Sequence, residues 1–457
     1  MSKHYHLIGI GGIGMSGIAQ LLLRRGERVS GSDIKESRLT QELREAGAKI
    51  FIGHQASNLA GADVVIYSTA IKQDNPEIQE AERLKVSLIR RAQGLADLMQ
   101  EKTVITVTGS HGKTTTTALI SYLLLEAGFR PTVAIGGILK NTDNQAWLGE
   151  GEFFVAEADE SDGTFLYYRP EYSIVTNIDH EHLDYYKNFG NELSAFKEFI
   201  HQTRPEGCLF FCSDDVNLKN LTEGYPYKYV SFGLSPDAEI HPENIKINGF
   251  SCEFDCLYRH KFVERFSLAL AGRHNISNAL SVIALGLELG IDLRCVKKTL
   301  ADFKGACRRT DIKFDADGYL LIDDYAHHPT EIRATLAAIR NFRGRVIAVF
   351  QPHRYTRTKL LLEEFAQSFA LADVVYVTDI YPASEPVLEG VTAELVCERI
   401  KKYNPDKEVR YLNKEEIVPR IMEIVKPGDL VITLGAGDIV KVCDELAKEF
   451  KRQGQVC

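Results

Sequence analysis

Twice in this chain a short strand-like run breaks into a glycine turn that opens a helix. The first instance is HYHLI, then Gly9-Ile10-Gly11-Gly12-Ile13-Gly14, then the helical pattern SGIAQLLLRRG, with Gly26 as its C-cap. The second is KTVITVT, then Gly109-Ser110-His111-Gly112-Lys113-Thr114-Thr115, then a helical pattern running to Gly128. A strand feeding a helix in this way starts a β-α-β unit, which belongs to a parallel sheet with helices on its faces. The fold class is therefore expected to be α/β.

Three such blocks follow one another. The first holds strands HLIGI, ERVSGSD, ADVVIYST and VSLIRR, with helix PEIQEAERL before the last. The second adds strands FFVAEAD and YSIVTNID, and helix NISNALSVIALGLELG closes it. Between them, Cys208 to Leu270 reads as a β-rich insertion of short strands and turns. The third starts after FKGACRRTD. It contains strands YLLIDDY, RVIAVFQ, DVVYVTDI and DLVITLG with helices HPTEIRATLAAIRNF and TKLLLEEFAQSFA. A length of 457 residues suits about three domains.

The net charge of −9 argues against a general nucleic-acid binder, which carries a basic footprint. No apolar run approaches the roughly 18 residues that span a membrane. The start MSKHYHLIGI enters a strand at once and lacks the pattern of a secretory leader, so the chain is read as cytoplasmic. Nine cysteines are scattered without a disulfide framework and are read as reduced thiols. The pairs Cys208/Cys212 and Cys252/Cys256 lie in strand-like runs, where alternation points to half-buried positions rather than to zinc.

The first loop fits GxGxxG between a strand and a helix, and Asp33 closes the next strand about 20 residues on. Glycines admit a pyrophosphate to the backbone, and the amides and dipole of the helix start attract it. Ser16 is positioned in sequence to donate a further hydrogen bond to a phosphate. The ligand is NAD or another nucleoside diphosphate; a bare strand-helix turn is the alternative. The second loop ends in Gly-Lys-Thr, the core of a P-loop, although only two residues separate Gly109 from Gly112. Its amides suit phosphates, Lys113 the β- and γ-phosphates, and Thr114 a Mg²⁺ ion.

Acids and histidines gather at other strand ends. FFVAEADESD ends in Glu157, Asp159, Glu160 and Asp162, and Glu157 is the choice for a cation ligand beside Thr114. YSIVTNID leads into Asp179-His180-Glu181-His182, where His182 suits a second metal ion or a phosphoryl group. In the third block Asp323-Asp324-Tyr325-Ala326-His327-His328 and Gln351-Pro352-His353-Arg354-Tyr355-Thr356-Arg357 follow strands, as does Gly435-Ala436-Gly437-Asp438. Arg354 and Arg357 suit a carboxylate. Solvated loops are the alternative reading of these clusters.

Ten segments in order, GIGGIGMSG, GSD, STAIKQDNPEI, TVTGSHGKTTTT, EADESDGTF, VTNIDHEHLDYY, GRHNISNA, GACRRTD, DDYAHHPTEI and FQPHRYTRT, resemble the Mur ligases of peptidoglycan synthesis across essentially the whole chain. The resemblance implies three domains. These are an N-terminal Rossmann-like domain for a UDP-sugar (1–98), a central P-loop-type ATP-binding α/β domain (99–308) and a C-terminal Rossmann-like domain (309–457). It implies ATP and Mg²⁺ as cofactors and the joining of L-alanine to the carboxylate of UDP-N-acetylmuramate through an acyl phosphate. Gly11, Gly12, Ile13, Gly14, Met15, Ser16, Asp33 and Ser68 fall on the UDP-sugar side. Gly109 to Thr115, His274, Asn275, Asn278, Arg309 and Asp324 fall on the ATP side, with Thr114, Glu157 and His182 on metal. Tyr325, His327, His353, Arg354 and Arg357 fall on the amino-acid side, and Lys113, His182, Arg354 and Arg357 are the implied catalytic set. By the family's TNI-x-x-DH spacing the metal histidine is His182 rather than His180, with Glu181 where aspartate is usual. His182 and His353 are candidates for taking the amine's proton.

A monomer or homodimer is expected, and the charge and the lack of a long apolar run leave no nucleic acid and no membrane as partner. Three rivals remain at this point. A recycling ligase would add a preformed peptide to the same sugar nucleotide. A nicotinamide-dependent oxidoreductase would use the first loop and leave TGSHGKTTTT unexplained. A nucleotide-sensing module would bind ATP without turnover and would have no use for the acid-rich loop.

Overall fold

The computed structural model describes all residues except Met1, Thr69, Glu101, Asn341, Arg343 and 455–457, and the side chains of Leu183, Asp184 and Gln453. Thr69, in the STAIKQDNPEI segment, thus lies outside the described residues. The chain forms two compact units. One runs through Ile245 and takes in Phe254–Leu268 and Ile276–Lys304; the other takes Lys246–Glu253, Ala269–Asn275 and the chain from Gly305 on. Among the described residues no helix is long and apolar enough to cross a membrane.

The first unit contains one sheet whole and, apart from residues 246–253, a second. Strands β1 (His4–Ile8), β2 (Arg28–Asp33), β3 (Lys49–Ile52), β4 (Val64–Tyr67) and β5 (Ser87–Arg90) lie in the order β3-β2-β1-β4-β5, all parallel. The order reverses at β1, so a crevice opens beyond the carboxyl ends of β1 and β4. The first glycine loop follows β1 and Ser68 follows β4, which puts both at that crevice. Helix Pro76–Leu84 shows how local chemistry sets an element: Asn75 accepts from the amide of Glu77, proline takes the first turn, and Lys85 ends it in the left-handed region at φ 56°. Ile8, Leu59, Val65, Ile78 and Ala81 close a core beneath it.

The second sheet has ten strands. They are β6 (Thr103–Thr108), β7 (Thr132–Leu139), β8 (Asn144–Trp147), β9 (Phe153–Glu157), β10 (Tyr172–Val175), β11 (Cys208–Cys212), β12 (Tyr229–Phe232), β13 (Ile240–Asn248), β14 (Ser251–Tyr258) and β15 (Lys261–Leu268). Their order is β15-β14-β13-β12-β11-β10-β6-β9-β7-β8. The expected β-rich insertion is therefore corrected: Cys208–Leu268 carries five strands that extend the main sheet from β10 outward, β11 and β12 in parallel. Of the two cysteine strands, β14 alternates over Ser251–Phe254 as expected, and β11 is corrected. Every residue of β11 is buried, because a central parallel strand is covered on both faces and has no alternation to read. A further helix, Leu293–Asp302, follows Arg273–Glu288, which does not close the block.

The second unit holds β16 (Asp311–Ala316), β17 (Tyr319–Asp324), β18 (Val346–Phe350), β19 (Val374–Val377), β20 (Glu408–Tyr411) and β21 (Leu430–Leu434), ordered β16-β17-β21-β18-β19-β20. Only β16 runs antiparallel among the paired strands described. Two apolar layers cover the faces: Ile322, Leu336, Phe350 and Phe365 belong to one, Leu321, Ile347, Tyr376 and Leu446 to the other. The helix expected over TKLLLEEFAQSFA is two short helices, Tyr355–Leu360 and Leu362–Gln367, separated at Leu361.

Candidate functional site

The first glycine loop is tied down from below. Gly9 (φ 79°) and Ile10 donate to the carbonyl of Ser32 at 2.8 and 3.0 Å, and Gly11 donates to Asp33 Oδ2 at 2.9 Å. A Cβ on Gly11 would stand 2.8 Å from that oxygen, so Asp33 braces the loop at a point only glycine fits. Gly12 caps helix Ile13–Arg24 without a side-chain bond, which leaves the first-turn amides for an anion. Ser16 is corrected as a phosphate donor. It is fully buried, donates to Ile13 O at 2.9 Å and accepts from Gln145 Nε2 at 2.7 Å. The Met15 side chain is also buried.

Under this loop lies a buried polar network. Glu77 accepts from Ser32 Oγ at 2.5 Å and Asn58 Nδ2 at 2.6 Å, and His6 Nε2 lies 3.4 Å from it. Burial alone would raise the Glu77 carboxyl, but the bonds from His6, Ser32 and Asn58 outweigh it and hold it at about 2.

The second loop has a similar logic. Gly109 sits at φ 124°, and a Cβ there would come 2.3 Å from Thr176 Oγ1. Ser110 donates to Asn177 O at 3.0 Å and His111 to Asn177 Oδ1 at 2.9 Å. Gly112 (φ 84°) turns the chain into helix Lys113–Glu126, with Asn278 Oδ1 2.7 Å from where its Cβ would be. Lys113 Nζ donates to Gly109 O at 2.5 Å, Ser110 O at 3.1 Å and Glu160 Oε1 at 2.8 Å. Burial would lower its pKa, but Glu160, Asp159 and Glu157 reverse that and keep it charged. Thr115 is buried in the same first turn.

Two acid groups flank the loop. At the end of β9, Glu157 Oε1 accepts from Thr114 Oγ1 at 3.2 Å and Oε2 from Gly136 N–H at 3.0 Å; burial raises its carboxyl. Farther along, one atom each of Glu160, Glu181 and His182 lie within 4.8 Å of one another. His182, at φ 55°, is 3.4 Å from Glu160 Oε1 and 3.2 Å from Glu181 Oε2. Burial lowers its pKa, but the two carboxylates raise it to about 10, so the ring would enter a metal site by exchanging its proton for the ion. His180 instead stacks on Phe189. Asp159 Oδ1 and Asp162 Oδ1 accept turn amides of Ser161 and Thr164.

These donors fit a hard divalent cation. They are oxygens with one imidazole, and Glu160 Oε2 is buried with no hydrogen-bond partner among the described residues. Glu192, fully buried near the same group, is pushed by burial to about 8 although His182 opposes the rise.

The second unit gathers the third-block residues by themselves. Asp324 accepts from Thr310 N at 2.6 Å and Ala326 N at 2.8 Å; burial lifts it to about 6 against the pull of Arg309. Arg309 lies 3.5 Å from Glu331 and over the ring of Tyr325. His327 Nδ1 lies 3.3 Å from Glu331 and meets His353 edge to face. Burial, with His327, Arg357 and Arg354, holds His353 at about 3, so it is neutral at neutral pH. Arg357 Nη1 approaches His353 Nδ1 at 3.3 Å. Arg354 grips a carboxylate of its own chain: Nε donates to Glu385 at 2.6 Å. His274 is lowered to about 4 by burial and by Arg309, and Asn275 donates to Ala271 O at 2.8 Å.

The sequence reading missed Arg91, Glu331, Glu385 and Arg308. Arg308 donates to Asp323 at 3.0 Å and to Gly435 O at 2.7 Å, pinning the turn after β21. It adjoins Arg309 in GACRRTD and was legible as its twin. Glu385 carries no local signal, since it meets Arg354 from another loop.

Three family models match the chain: Mur ligase family, catalytic domain, over residues 4–103; Mur ligase middle domain over 107–286; and Mur ligase, glutamate ligase domain, over 308–437. A UDP-N-acetylmuramate–L-alanine ligase of Syntrophus aciditrophicus is 44% identical over 98% of this chain and 94% of its own length. Another, of Aquifex aeolicus, is 44% identical over 98% of each. The crystal structure of UDP-N-acetylmuramate-alanine ligase from Thermotoga maritima is similar at TM-score 0.84 and 31% identity, covering 98% of this chain and 99% of that one. A murein peptide ligase from Psychrobacter arcticus shares the fold at TM-score 0.72 and 24% identity over 98% of both chains. With family models spanning all three sheets and full-length relatives of this similarity, the chain belongs to the Mur ligase family.

Proposed function

We propose that this chain joins L-alanine to the carboxylate of UDP-N-acetylmuramate in the cytoplasm, at the expense of ATP. The observation that carries the reading is the pairing of two anion cradles in one compact unit, at the carboxyl ends of β1 and β6, with a charged lysine in the second alone. The nature of the full-length relatives supports it. The substrate carboxylate attacks the γ-phosphate, giving an acyl phosphate and ADP. The alanine amine then attacks the acyl carbon, and phosphate leaves from the tetrahedral intermediate.

The protein's share is positioning and charge. Lys113, at the first turn of its helix, exchanges Glu160 for phosphate oxygens and offsets the repulsion between a carboxylate and a triphosphate. Thr114 and Glu157 would hold one Mg²⁺, and His182 with Glu160 and Glu181 a second. Such ions supply charge neutralisation on the triphosphate. Arg354 and Arg357 orient the amino acid through its carboxylate, and His353, uncharged at neutral pH, stands on the amine side.

The test is phosphate release from ATP by purified protein with UDP-N-acetylmuramate and alanine, serine, glycine or a preformed peptide in turn. Alanine should give the highest kcat/KM. Lys113→Ala should lose turnover and still bind the UDP-sugar. Release that depends on the peptide alone would replace this reading with the recycling one.

A further inference from the structure

The first glycine loop holds an unusual deficit. Gly9 to Ser16 contains no charged side chain, so its backbone amides alone would face a diphosphate. The cation against it comes from elsewhere in the chain. Arg91 opens helix Arg91–Met99 directly after β5. Its guanidinium rests on the first turn of helix Ile13–Arg24: a Cβ on Gly14 would stand 2.4 Å from Nη1 and 3.4 Å from Cζ. Gly14, at an ordinary helical φ, is thus kept small by the arginine. On its other side Arg91 Nη2 donates to Asp159 Oδ2 at 3.2 Å, in the acid loop beside the second cradle. Arg91 is 31% exposed and Asp159 39%, so the pair borders solvent. A guanidinium carries five N–H donors. Among the described residues only Asp159 takes one from Arg91.

We propose that Arg91 is a binding residue for the diphosphate of the sugar nucleotide, held in orientation by Asp159, and that it couples filling of the first cradle to the acid loop of the second. This rests on the reading that the first loop takes a nucleoside diphosphate. The loop supplies directional amides, Arg91 supplies the charge, and a planar fork lying on the helix start can serve an anion there in bidentate fashion. Because the same guanidinium holds Asp159, binding free energy at one cradle is shared with the other, and the linkage is reciprocal.

Calorimetric titration of the full-length protein with UDP, uridine and ATP tests this. Arg91→Ala should weaken UDP by about tenfold or more, the loss of a charge-assisted contact, and leave uridine binding unchanged. Arg91→Lys should recover part of the loss as a point charge. Asp159→Asn should reduce the factor by which saturating UDP changes ATP affinity. Gly14→Ala should weaken UDP in the wild-type background and do so less in the Arg91→Ala background, where the clash is gone. If Arg91→Ala keeps wild-type UDP affinity, or weakens uridine as much as UDP, the proposal is overturned. If the wild-type protein binds neither UDP nor the UDP-sugar, the preceding functional reading fails instead.

Discussion

Glu77 offers a quantitative check on how the first sheet is held together. It is fully buried, yet its carboxyl is kept at about 2 instead of 4.5 by His6, Ser32 and Asn58 acting against burial. Because the folded state binds the proton less readily than the unfolded state, ionisation favours folding. At about 1.4 kcal/mol per pKa step, the difference is worth about 3 kcal/mol at neutral pH. The contribution is complete above 4.5 and is lost as pH falls from there toward 2. Glu77→Gln keeps the shape and removes the charge. We expect it to lower the stability of the β1–β2–β3 region by about 3 kcal/mol at pH 7 and by only about 2 kcal/mol at pH 3.5. Hydrogen exchange at the amides of Leu7, Ile8 and Gly31 reads that region within the whole chain, which avoids assuming one cooperative transition. A penalty that stays constant with pH, or none at neutral pH, would refute the argument that the charge is what the network stabilises.

Other outcomes follow from single contacts. Gly109→Ala should abolish ATP binding while leaving UDP binding intact, because its Cβ would sit 2.3 Å from Thr176 Oγ1 at a φ of 124°; titration with each nucleotide checks this. Arg308→Ala removes the guanidinium paired with the buried Asp323, leaving it the hydroxyl of Thr433, and should cost about 3 kcal/mol in the second unit, read by denaturation followed through that unit's own probes. Burial pushes the Cys208 and Cys256 thiols up to about 12, so both should resist a thiol reagent at pH 8 in the native protein and react at once in denaturant.

Both cradles were legible in the chain because a glycine turn between a strand and a helix is a local signature, and its chemistry needs no distant partner to be recognised. Glu157 in FFVAEAD was legible for the same reason, since a strand's last residue faces the sheet's ligand edge. What escaped reading is what depends on tertiary neighbours. Ser16 looks like a phosphate donor until Gln145 arrives from β8 to bury it. Glu385 earns notice only once Arg354 folds onto it. The stretch after Cys208 reads as an appendage because short strands look alike whether they stand apart or extend a sheet. Arg91 is invisible from spacing, since its neighbours Gly14 and Asp159 come from a helix start and a loop far apart in the chain.

The position of β6 also shapes the life of the chain before it is complete. Its two partners, β9 and β10, are translated after it, and the turn that steadies its glycine loop, Thr176-Asn177, comes later still. On a ribosome adding about 5–20 residues per second, the run TVITVT therefore waits for seconds as an unpaired β-prone edge. A message cut short before Tyr172 would leave that edge open for good, so its product should be an aggregating fragment rather than a quiet, inactive one.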